Sequence, residues 1–509
     1  MLSKINSAGL IGIDGYSVSV EVDISNGMPA FDVVGLPDTA VKESRERVRS
    51  ALKNCGFRFP TKRITVNLAP ANIKKVGAIY DLPICMGLLL SSEQLVCDLS
   101  EYAFIGEIAL SGELRPVDGA LPMAISAYES GIKNIILPTE NAQEAAVVAG
   151  LNVYGAKSLT EIFSHFTTEE KLLKIDVDID EIFKIQEEQT LDFSDVKGQE
   201  NAKFALEIAA AGGHNCLLIG SPGSGKSMLS KRLPSILPSL TFEEALEVTK
   251  VHSIAGLIPG NTSLITTRPF RSPHHTISPV GLSGGGTYPK PGEISLAHNG
   301  VLFLDEFPEF RKDALEVLRQ PLEDGIVTIS RVNATLTYPS NTMLIAAMNP
   351  CKCGYYGDGT NRCTCSEGQI KQYLGKISGP LLDRIDLHIE VPAVKYNELT
   401  DSTPAESSKE IKKRVENARK IQKERFKNDK GIYCNAQMTE KMVAKYCVLG
   451  EQEQLVLKQA FDNLGLSARA HNRILKVART IADLRMSENI QIDHIAQAIY
   501  YRSLDRKYW

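Results

Sequence analysis

The sequence predicts an α/β protein, with two α/β domains followed by a helical region. Two observations lead to this fold class. Residues 18–22 and 64–68 alternate between apolar and polar side chains, as strands with one buried face do, and helical patterns separate such segments. Further along, residues 216–219, 301–304 and 343–348 are short continuous apolar runs, which are typical of parallel strands covered by helices on both faces.

The composition is that of a soluble globular protein, with 43% hydrophobic and 23% charged residues in a chain of 509, enough for about three domains. No apolar run approaches the ~18 residues of a transmembrane helix, and the N-terminal residues do not resemble a signal peptide. We therefore expect no membrane association, a cytoplasmic location and reduced cysteines. With a net charge of −4, contacts with nucleic acid would depend on local basic patches.

Changes in pattern and charge divide the chain into four segments. The first segment has α/β or α+β character: Asp38 is placed to cap a helix that begins at Thr39, and a strand over residues 132–138 ends at a proline. The second is acidic, with room for a short helix. The predicted segments are a first domain at 1–165, a linker at 166–191, a second α/β domain at 192–395 and a helical region at 396–509.

A glycine-rich loop follows the apolar run that ends at Ile219 and leads into a helical pattern. It reads G-x-x-x-x-G-K-S in the strand–loop–helix context that a P-loop requires. Its backbone N–H groups would surround the β-phosphate of ATP at a helix N-terminus. Lys226 would reach the β- and γ-phosphates, and the Ser227 hydroxyl would ligate Mg²⁺. The loop consists of Gly220, Ser221, Pro222, Gly223, Ser224, Gly225, Lys226 and Ser227.

Two other apolar runs end in polar side chains at the same predicted edge of the sheet, where ligands of open parallel sheets bind. Asp305 and Glu306 follow the run at 301–304. Asp305 would hold the Mg²⁺ shell, and Glu306 would polarise the attacking water as general base. Asn349 follows the run at 343–348 and would orient that water, although local chemistry alone favours a turn-forming asparagine before proline.

Four of the ten cysteines lie close together in the second α/β domain. Four thiolates can satisfy a tetrahedral Zn²⁺ ion, although C-x-C is tighter than the usual ligand spacing. Structural zinc and reduced, unligated thiols both remain open from the sequence, whereas a disulfide is disfavoured in a cytosol. The four residues are Cys351, Cys353, Cys363 and Cys365.

Several longer motifs resemble one protein family. Together with the P-loop they resemble the YifB/ComM group of magnesium-chelatase-like AAA+ ATPases, over essentially the whole chain. The resemblance implies an AAA+ P-loop core with a helical lid. The motifs are Arg-Pro-Phe-Arg-Ser-Pro-His-His at 268–275, Gly-Glu-Ile-Ser-Leu-Ala-His-Asn-Gly at 292–300, Ser-Gly-Pro-Leu-Leu-Asp-Arg at 378–384 and Leu-Ser-Ala-Arg-Ala-His-Asn-Arg at 466–473.

The resemblance also implies an assembly and roles for individual residues. It implies a homo-hexameric ring with ATP at the subunit interfaces. Asn349 would be sensor 1, and Arg384 would be the arginine finger offered to the γ-phosphate of a neighbouring subunit, a task that suits the fixed charge and planar fork of arginine. Arg469 would be sensor 2 on the helical lid, with Arg473, one turn further on, as the alternative.

Two segments resemble the elements with which ring motors touch a threaded polymer. The Gly/Pro-rich segment 256–292 resembles the helix-2 insert of this AAA+ branch. The predicted hairpin formed by 325–331 and 334–338 resembles the pre-sensor-1 hairpin. Arg331 is the first candidate for a polymer contact, and the adjacent histidines His274 and His275 are the second.

Two basic clusters are candidates for DNA contact. Residues 409–430 hold ten Lys/Arg and four Asp/Glu on a predicted helix. Such a run is usually a solvated face, but a DNA-binding ring needs basic groups to neutralise phosphate. The second cluster, on the N-terminal helix, consists of Lys42, Arg45, Arg47, Arg49 and Lys53.

The first domain resembles the Lon protease fold, a ribosomal S5 domain 2-like α+β fold, around residues 106–119 and 130–138. Leu121 takes the place of the catalytic lysine of Lon, and residues 75–83, which match the serine region, contain no serine. A Ser/Lys dyad needs a hydroxyl beside an unprotonated amine. We therefore interpret the domain as a non-proteolytic accessory.

The leading hypothesis is a cytoplasmic, hexameric, Mg²⁺-dependent ATPase that translocates on single-stranded or branched DNA. The resemblance points to helicase or branch-migration activity in recombination or natural transformation. A magnesium-chelatase motor subunit and a protein-remodelling ATPase are the alternatives, and stimulation of hydrolysis by DNA distinguishes them.

Overall fold

A computed structural model of the chain describes residues 2–184, 191–260, 262–286, 288–331, 334–359, 361–394, 405–429, 431–464, 468–502 and 504. They form two compact units. Unit 1 comprises Met1–Gln186 and Phe242–Thr266, and unit 2 comprises Glu187–Thr241 and Thr267–Trp509. Across the described ranges, every helix is too short or too polar to span a bilayer.

Unit 1 is built on a mixed sheet of eight strands in the order β10-β9-β8-β5-β1-β2-β4-β3, and β6 and β7 pair separately. The alternation predicted at 18–22 is confirmed, because Val18, Val20 and Val22 are buried while the residues between them are partly exposed. The strands are β1 Leu2–Ile11, β2 Asp14–Ser25, β3 Ala30–Val34, β4 Arg63–Ala69, β5 Tyr102–Phe104, β6 Glu107–Ile108, β7 Leu114–Arg115, β8 Asn134–Pro138, β9 Asn152–Ala156 and β10 Lys174–Ile175.

Among the described residues of unit 1, seven helices accompany this sheet. The predicted cap is confirmed: the Asp38 carboxylate accepts a 2.8 Å hydrogen bond from the backbone N–H of Val41 and so satisfies one of the free donors at the start of the first helix. The helices are α1 Thr39–Asn54, α2 Asp81–Ser91, α3 Ala120–Glu129, α4 Thr139–Ala145, α5 Leu159–Thr167, α6 Ile179–Lys184 and, after α7 and α8 of unit 2, α9 Phe242–Ala255.

The units differ from the predicted domain boundaries in two places. The predicted linker at 166–191 contributes β10, which pairs antiparallel with β9, and α6, so unit 1 extends to Gln186 rather than to 165. Residues 242–266, predicted as part of the second domain, pack in unit 1, where the backbone N–H of Gly119 donates to the Ser253 carbonyl at 3.0 Å. The predicted boundary at 395/396 lies outside the described residues.

Unit 2 contains a five-stranded parallel sheet in the order β12-β15-β18-β11-β19. The three apolar runs of the sequence form its central strands and are buried throughout. The predicted hairpin at 325–338 is confirmed as an antiparallel pair, β16–β17. The strands are β11 Cys216–Ile219, β12 Phe270–Arg271, β13 Gly284–Gly285, β14 Lys290–Pro291, β15 Val301–Leu304, β16 Ile326–Arg331, β17 Ala334–Pro339, β18 Met343–Met348 and β19 Leu387–Glu390.

The helices of unit 2 cover this sheet and form the C-terminal helical region that the sequence predicts. They are α7 Glu200–Gly212, α8 Lys226–Arg232, α10 Pro279–Ser283, α11 Glu293–Leu296, α12 Lys312–Glu316, α13 Pro321–Asp324, α14 Glu367–Leu374, α15 Gly379–Leu382, α16 Ser408–Arg425, α17 Glu440–Tyr446, α18 Glu451–Leu464, α19 Ala468–Leu484 and α20 Ile492–Tyr500.

A buried charge cluster joins the helices of the C-terminal region. Asp483 of α19 is fully buried and accepts hydrogen bonds from the guanidinium of Arg425 at 2.5 and 2.7 Å and from Arg479 at 3.1 Å. Asn435 donates to the same carboxylate at 2.9 Å. Burial of these charges is tolerated because each has a partner, so removal of Asp483 would leave two buried cations uncompensated.

We expect Asp483→Ala to destabilise the C-terminal helices by about 3–5 kcal/mol, the cost of breaking a buried ion pair. Hydrogen exchange of the α19 amides in the full chain measures this loss. Asp493→Ala is the matched control, because Asp493 pairs with Arg485 at the surface, where ion pairs contribute about 0–1 kcal/mol. Equal protection in the two variants would contradict the expectation.

Candidate nucleotide-binding site

The sheet of unit 2 brings the three polar sequence motifs to one edge. Strand β18 lies between β11 and β15, with Ile219 opposite Met348 and Leu304 opposite Ala346. Because all three strands run parallel, the residues that follow them emerge side by side. The P-loop, Asp305 and Asn349 therefore meet at the carboxyl edge of the sheet.

The P-loop turns tightly between β11 and α8. Gly223 and Gly225 have φ values of 76° and 94°, in the left-handed region that glycine adopts without strain. A Cβ at Gly220 would lie 2.2 Å from the carbonyl oxygen of Val391, so a side chain there would displace the neighbouring backbone. These glycines give the loop the curvature that directs backbone N–H groups inward.

The Lys226 ammonium group is held inside this loop. It donates to the carbonyls of Gly220 at 2.7 Å and Ser221 at 2.9 Å, and it lies 3.2 Å from Oδ1 of Asn349. Burial lowers the pKa of Lys226, while the charge of Asp305 opposes that shift. The contact with Asn349 places the predicted sensor 1 beside the lysine that is predicted to bind phosphate.

Ser227 and Asp305 form the predicted Mg²⁺-binding pair. The Ser227 hydroxyl donates to Oδ2 of Asp305 at 2.7 Å. Hydroxyl and carboxylate oxygens are hard ligands of the kind that Mg²⁺ prefers. The residues therefore fit the ion that the P-loop motif implies.

Glu306 has an unusual backbone conformation and an unexpected partner. Its φ of 52° is rare for a residue with a side chain and costs about 1–3 kcal/mol. Its carboxylate lies 2.9 Å from Nδ1 of His275, which follows β12 in the motif at 268–275. The sequence suggested His275 only as a polymer contact, and no local pattern indicated that its ring would reach the predicted general base.

The predicted arginine finger is bound within its own chain. Arg384 donates to the carbonyls of Arg319 at 3.1 Å and Pro380 at 2.7 Å, and it forms an ion pair with Glu323. Only 11% of its side chain is exposed. A role in a neighbouring site therefore requires Arg384 to exchange Glu323 for phosphate.

The two candidates for sensor 2 differ in availability. Arg473 is largely covered, with 17% of its side chain exposed, donates to the carbonyl of Ile385 at 3.2 Å and lies 3.7 Å from Asp386. Burial lowers the pKa of Arg473. The Arg469 side chain is 66% exposed and lies 3.8 Å from Asp383. The geometry therefore favours Arg469 as the arginine that can reach a ligand and gives Arg473 a structural role.

The four clustered cysteines converge as a metal site would require. Their sulfur atoms lie within 4.8 Å of one another, and the Sγ of Cys351 is 3.3 Å from that of Cys353 and 3.9 Å from that of Cys363. A tetrahedral Zn²⁺ with bonds of about 2.3 Å separates its sulfurs by about 3.8 Å. Although burial opposes the shift, backbone hydrogen bonds from Tyr355 and Thr364 lower the pKa of Cys353 to about 6. For Cys363 a backbone hydrogen bond from Cys365 opposes the shift, but contacts with the sulfurs of Cys353 and Cys351 raise its pKa to about 11. It is therefore the convergence of the four sulfurs that supports zinc.

The cysteine loop also packs against the P-loop. A Cβ at Gly354 would lie 2.6 Å from Cδ of Pro222, and Gly354 itself has a φ of 90°. Asn349 stands two residues before Cys351 in the sequence. The cysteine cluster is therefore placed to support both the P-loop and sensor 1, a relation that the sequence spacing did not reveal.

Several arginines of the two basic clusters have structural partners. On α16, Arg414 binds Glu207 with two hydrogen bonds of 2.6 and 2.8 Å, and Arg419 donates to the Ala210 carbonyl at 3.0 Å. On α1, Arg47 binds the buried carboxylate of Asp81 at 2.6 and 3.0 Å. The exposed cations of α16 and the turn that follows it are lysines, namely Lys409, Lys413, Lys420, Lys423 and Lys427.

We predict that Arg469→Ala lowers the rate of ATP hydrolysis by at least about tenfold, because a charge aimed at phosphate is lost, and leaves the thermal midpoint unchanged. Arg473→Ala, the matched variant one turn away, should instead lower stability by about 1–3 kcal/mol, because the Ile385 carbonyl loses one of its two donors and the Asp386 carboxylate loses a neighbouring cation. Hydrolysis rates and thermal unfolding measured on both variants decide the assignment, and the reverse pattern would make Arg473 the sensor.

Comparison with known proteins gives the same family for three consecutive segments. Residues 192–399 match the model described as magnesium chelatase, subunit ChlI, and residues 20–141 match that for subunit ChlI of Mg-chelatase. Residues 405–502 match magnesium chelatase, subunit ChlI C-terminal.

Relatives extend the similarity to nearly the whole chain. The competence protein ComM of Haemophilus influenzae is 44% identical over 99% of this chain and 98% of its own length, and the YifB protein of Escherichia coli is 44% identical over the same shares. The magnesium-chelatase 38 kDa subunit of Rhodobacter capsulatus is 24% identical over 39% of this chain and 55% of its own length. With its P-loop, paired carboxylates and parallel sheet, the chain is an AAA+ ATPase that belongs to the YifB/ComM family of magnesium-chelatase-like proteins.

Proposed function

We propose that this chain is the subunit of a homo-hexameric, Mg²⁺-dependent ATPase that moves along DNA, as a helicase or branch-migration motor in recombination or natural transformation. The observation that carries the proposal is the similarity to a competence protein over 99% of the chain. Family models named for a chelatase subunit match most of the chain, but the relative that is itself named a chelatase subunit is 24% identical over 39% of it, against 44% over 99% for the competence protein, which favours the DNA motor.

Each residue at the sheet edge would serve a different step of ATP hydrolysis. Lys226 would bind the β- and γ-phosphates, and Ser227 and Asp305 would hold Mg²⁺, which neutralises charge on the transferred phosphoryl group. Glu306 would accept the proton of the attacking water, and Asn349 would orient that water. All five side chains come from the carboxyl edge of one sheet, so a single bound ATP could meet them together.

A further positive charge at the γ-phosphate would come from a neighbouring subunit. Arg384 would leave Glu323 and reach the γ-phosphate bound by the next subunit, where a fixed cation stabilises the transition state. Hydrolysis would then depend on assembly. The ring itself is part of the proposal, and the resemblance to AAA+ ATPases is what suggests it.

Contact with DNA would use the exposed lysines of the α16 segment and the β16–β17 hairpin. Arg331, at the end of β16, is exposed. Each phosphate that such cations neutralise releases counterions, so affinity would fall steeply with salt.

Unit 1 would serve as a non-proteolytic accessory domain of Lon-protease-like fold. Leu121, which is fully buried, takes the place of the lysine of a Ser/Lys dyad. Residues 75–83, at the place of the serine region, include Lys75 but no serine, so the nucleophile of the dyad is missing. We therefore expect no peptide hydrolysis from this unit.

The experiment that tests the proposal is ATP hydrolysis by the purified protein with and without forked or single-stranded DNA at low salt. We expect stimulation by DNA and a loss of turnover of about 100-fold in Glu306→Gln, because the amide cannot accept the proton, while ATP binding persists. No DNA binding and no stimulation would contradict the motor. Stimulation by a porphyrin or a protein substrate would support the chelatase or remodelling alternatives instead. Unchanged turnover in Glu306→Gln would contradict its role as base.

We further propose that the cysteine cluster binds structural Zn²⁺, and we predict about one zinc per chain in the purified protein. Cys353→Ser should lose the metal and weaken ATP binding, because the cysteine loop packs on Pro222 of the P-loop. Cys97→Ser is the matched control, since Cys97 lies outside the cluster. Metal analysis and titration with a fluorescent ATP analogue measure both effects, and metal-free protein with unaltered ATP affinity would contradict the proposal.

A further inference from the structure

Helix α1 of unit 1 carries a row of cations that the proposed function leaves unused. Four of the five cations of its cluster follow one another at spacings of three or four residues, so they lie along one flank of the helix, over about 17 Å. All four are exposed, whereas the fifth, Arg47, binds the buried carboxylate of Asp81. We call these four residues the α1 stripe: Lys42, Arg45, Arg49 and Lys53.

The chain that leaves α1 adds further cations and few opposing charges. Between residues 42 and 63 the sequence holds eight Lys/Arg and two Asp/Glu. Arg45 lies 3.4 Å from Glu46, and Arg63 lies 3.4 Å from Asp32, in pairs whose side chains are about half exposed or more. Exposed pairs of this kind are weak and are screened by salt, so phosphate groups can displace them. The additional exposed cations are Arg58, Lys62 and Arg63.

The fold brings aromatic rings to the α1 stripe, although α1 itself contains none. The guanidinium of Arg49 lies 5.8 Å from the centroid of the Phe59 ring. The ring of Phe31, on β3, stacks on that of Phe59 with a centroid distance of 6.3 Å and an angle of 25° between the planes. Both rings are only partly buried, and β3 is the last strand at this side of the sheet. The ring pair therefore borders solvent beside the cations.

A single-stranded nucleic acid matches both parts of this surface. Its phosphates pair with the cations, and the flat face of an unpaired base stacks on an aromatic ring, where an arginine adds a cation–π contact. Duplex DNA offers the same phosphates but keeps its bases stacked inside the helix. An anionic membrane or an acidic protein offers charge without planar bases, so the aromatic pair favours the single strand.

We propose that unit 1 binds single-stranded DNA on this surface, with phosphates along the α1 stripe and a base stacked on Phe59 or Phe31. The inference deepens the proposed function and rests on it for the choice of DNA as the nucleic acid. It gives the accessory unit a task, which is to hold one strand of the DNA on which the ATPase acts.

The test measures binding of the full chain to labelled oligothymidylate and to an abasic strand of equal length, by fluorescence anisotropy at several salt concentrations. The wild-type protein should bind oligothymidylate about fivefold or more tightly, because only its bases can stack. Phe59→Ala should remove most of this preference and leave the salt dependence unchanged. Phe59→Leu repeats the test with most of the apolar volume retained.

A double variant tests the cations separately. Arg49→Gln with Lys53→Gln should lower the slope of log affinity against log salt concentration by about 1.4, the release of counterions from two phosphates of a single strand. Lys133→Gln is the matched control, since Lys133 is an exposed cation of unit 1 outside the stripe, and its slope should stay at the wild-type value. Ultraviolet crosslinking of the wild-type protein to oligothymidylate, followed by mass spectrometry, should modify residues 57–63 or 30–34.

The outcomes separate this inference from the proposed function. Crosslinks confined to unit 2, or variants that keep the wild-type preference and slope, would overturn the surface and leave the DNA motor intact. Equal affinity of the wild-type protein for the two strands would also overturn it, and cosedimentation with phosphatidylserine vesicles that the double variant abolishes would then identify a lipid-binding surface. Binding at this surface without stimulation of hydrolysis by DNA would support the inference and refute the motor. No binding of either strand at low salt would overturn both.

Discussion

Two hydrogen bonds tie together the ends of three parallel strands, and the remaining site depends on them. The hydrogen bond from the Ser227 hydroxyl to Asp305 joins the end of β11 to the end of β15. The hydrogen bond from Lys226 to Asn349 joins the end of β11 to the end of β18. Each contact requires the register that sets Ile219 opposite Met348. A displacement of one residue along any of these strands would turn its side chains to the opposite face and separate Lys226 and Ser227 from their partners.

The cysteine loop and the motif at 268–275 also contact this edge of the sheet. The cysteine loop begins directly after Asn349 and packs through Gly354 on Pro222, so one insertion supports two of the three strand ends. The motif at 268–275 follows the edge strand β12 and places His275 beside Glu306. Elements that look independent along the sequence thus converge on the same edge of the sheet.

Local sequence patterns predicted several features of the structure. The P-loop, the central strands, the cap at Asp38 and the hairpin at β16–β17 each follow from residue periodicity or from a motif of fixed spacing. The contacts of Arg384 with Glu323 and of His275 with Glu306 could not be predicted, because partners distant in the sequence leave no local signal. The position of residues 242–266 in unit 1 was not predicted for the same reason. An amphipathic pattern shows that one face of a helix is buried, but it does not show which element packs against that face.

We propose that the catalytic machinery is divided between subunits, with Glu306 supplied by one chain and Arg384 by the next. The most direct measurement is hydrolysis by an equal mixture of Glu306→Gln and Arg384→Ala chains, each inactive by itself. If Arg384 acts on the neighbour, about a quarter of the interfaces in a randomly mixed ring hold both intact groups, and activity should return. If the mixture stays as inactive as its components while mixed rings form, the two residues serve the same chain and the divided site is wrong.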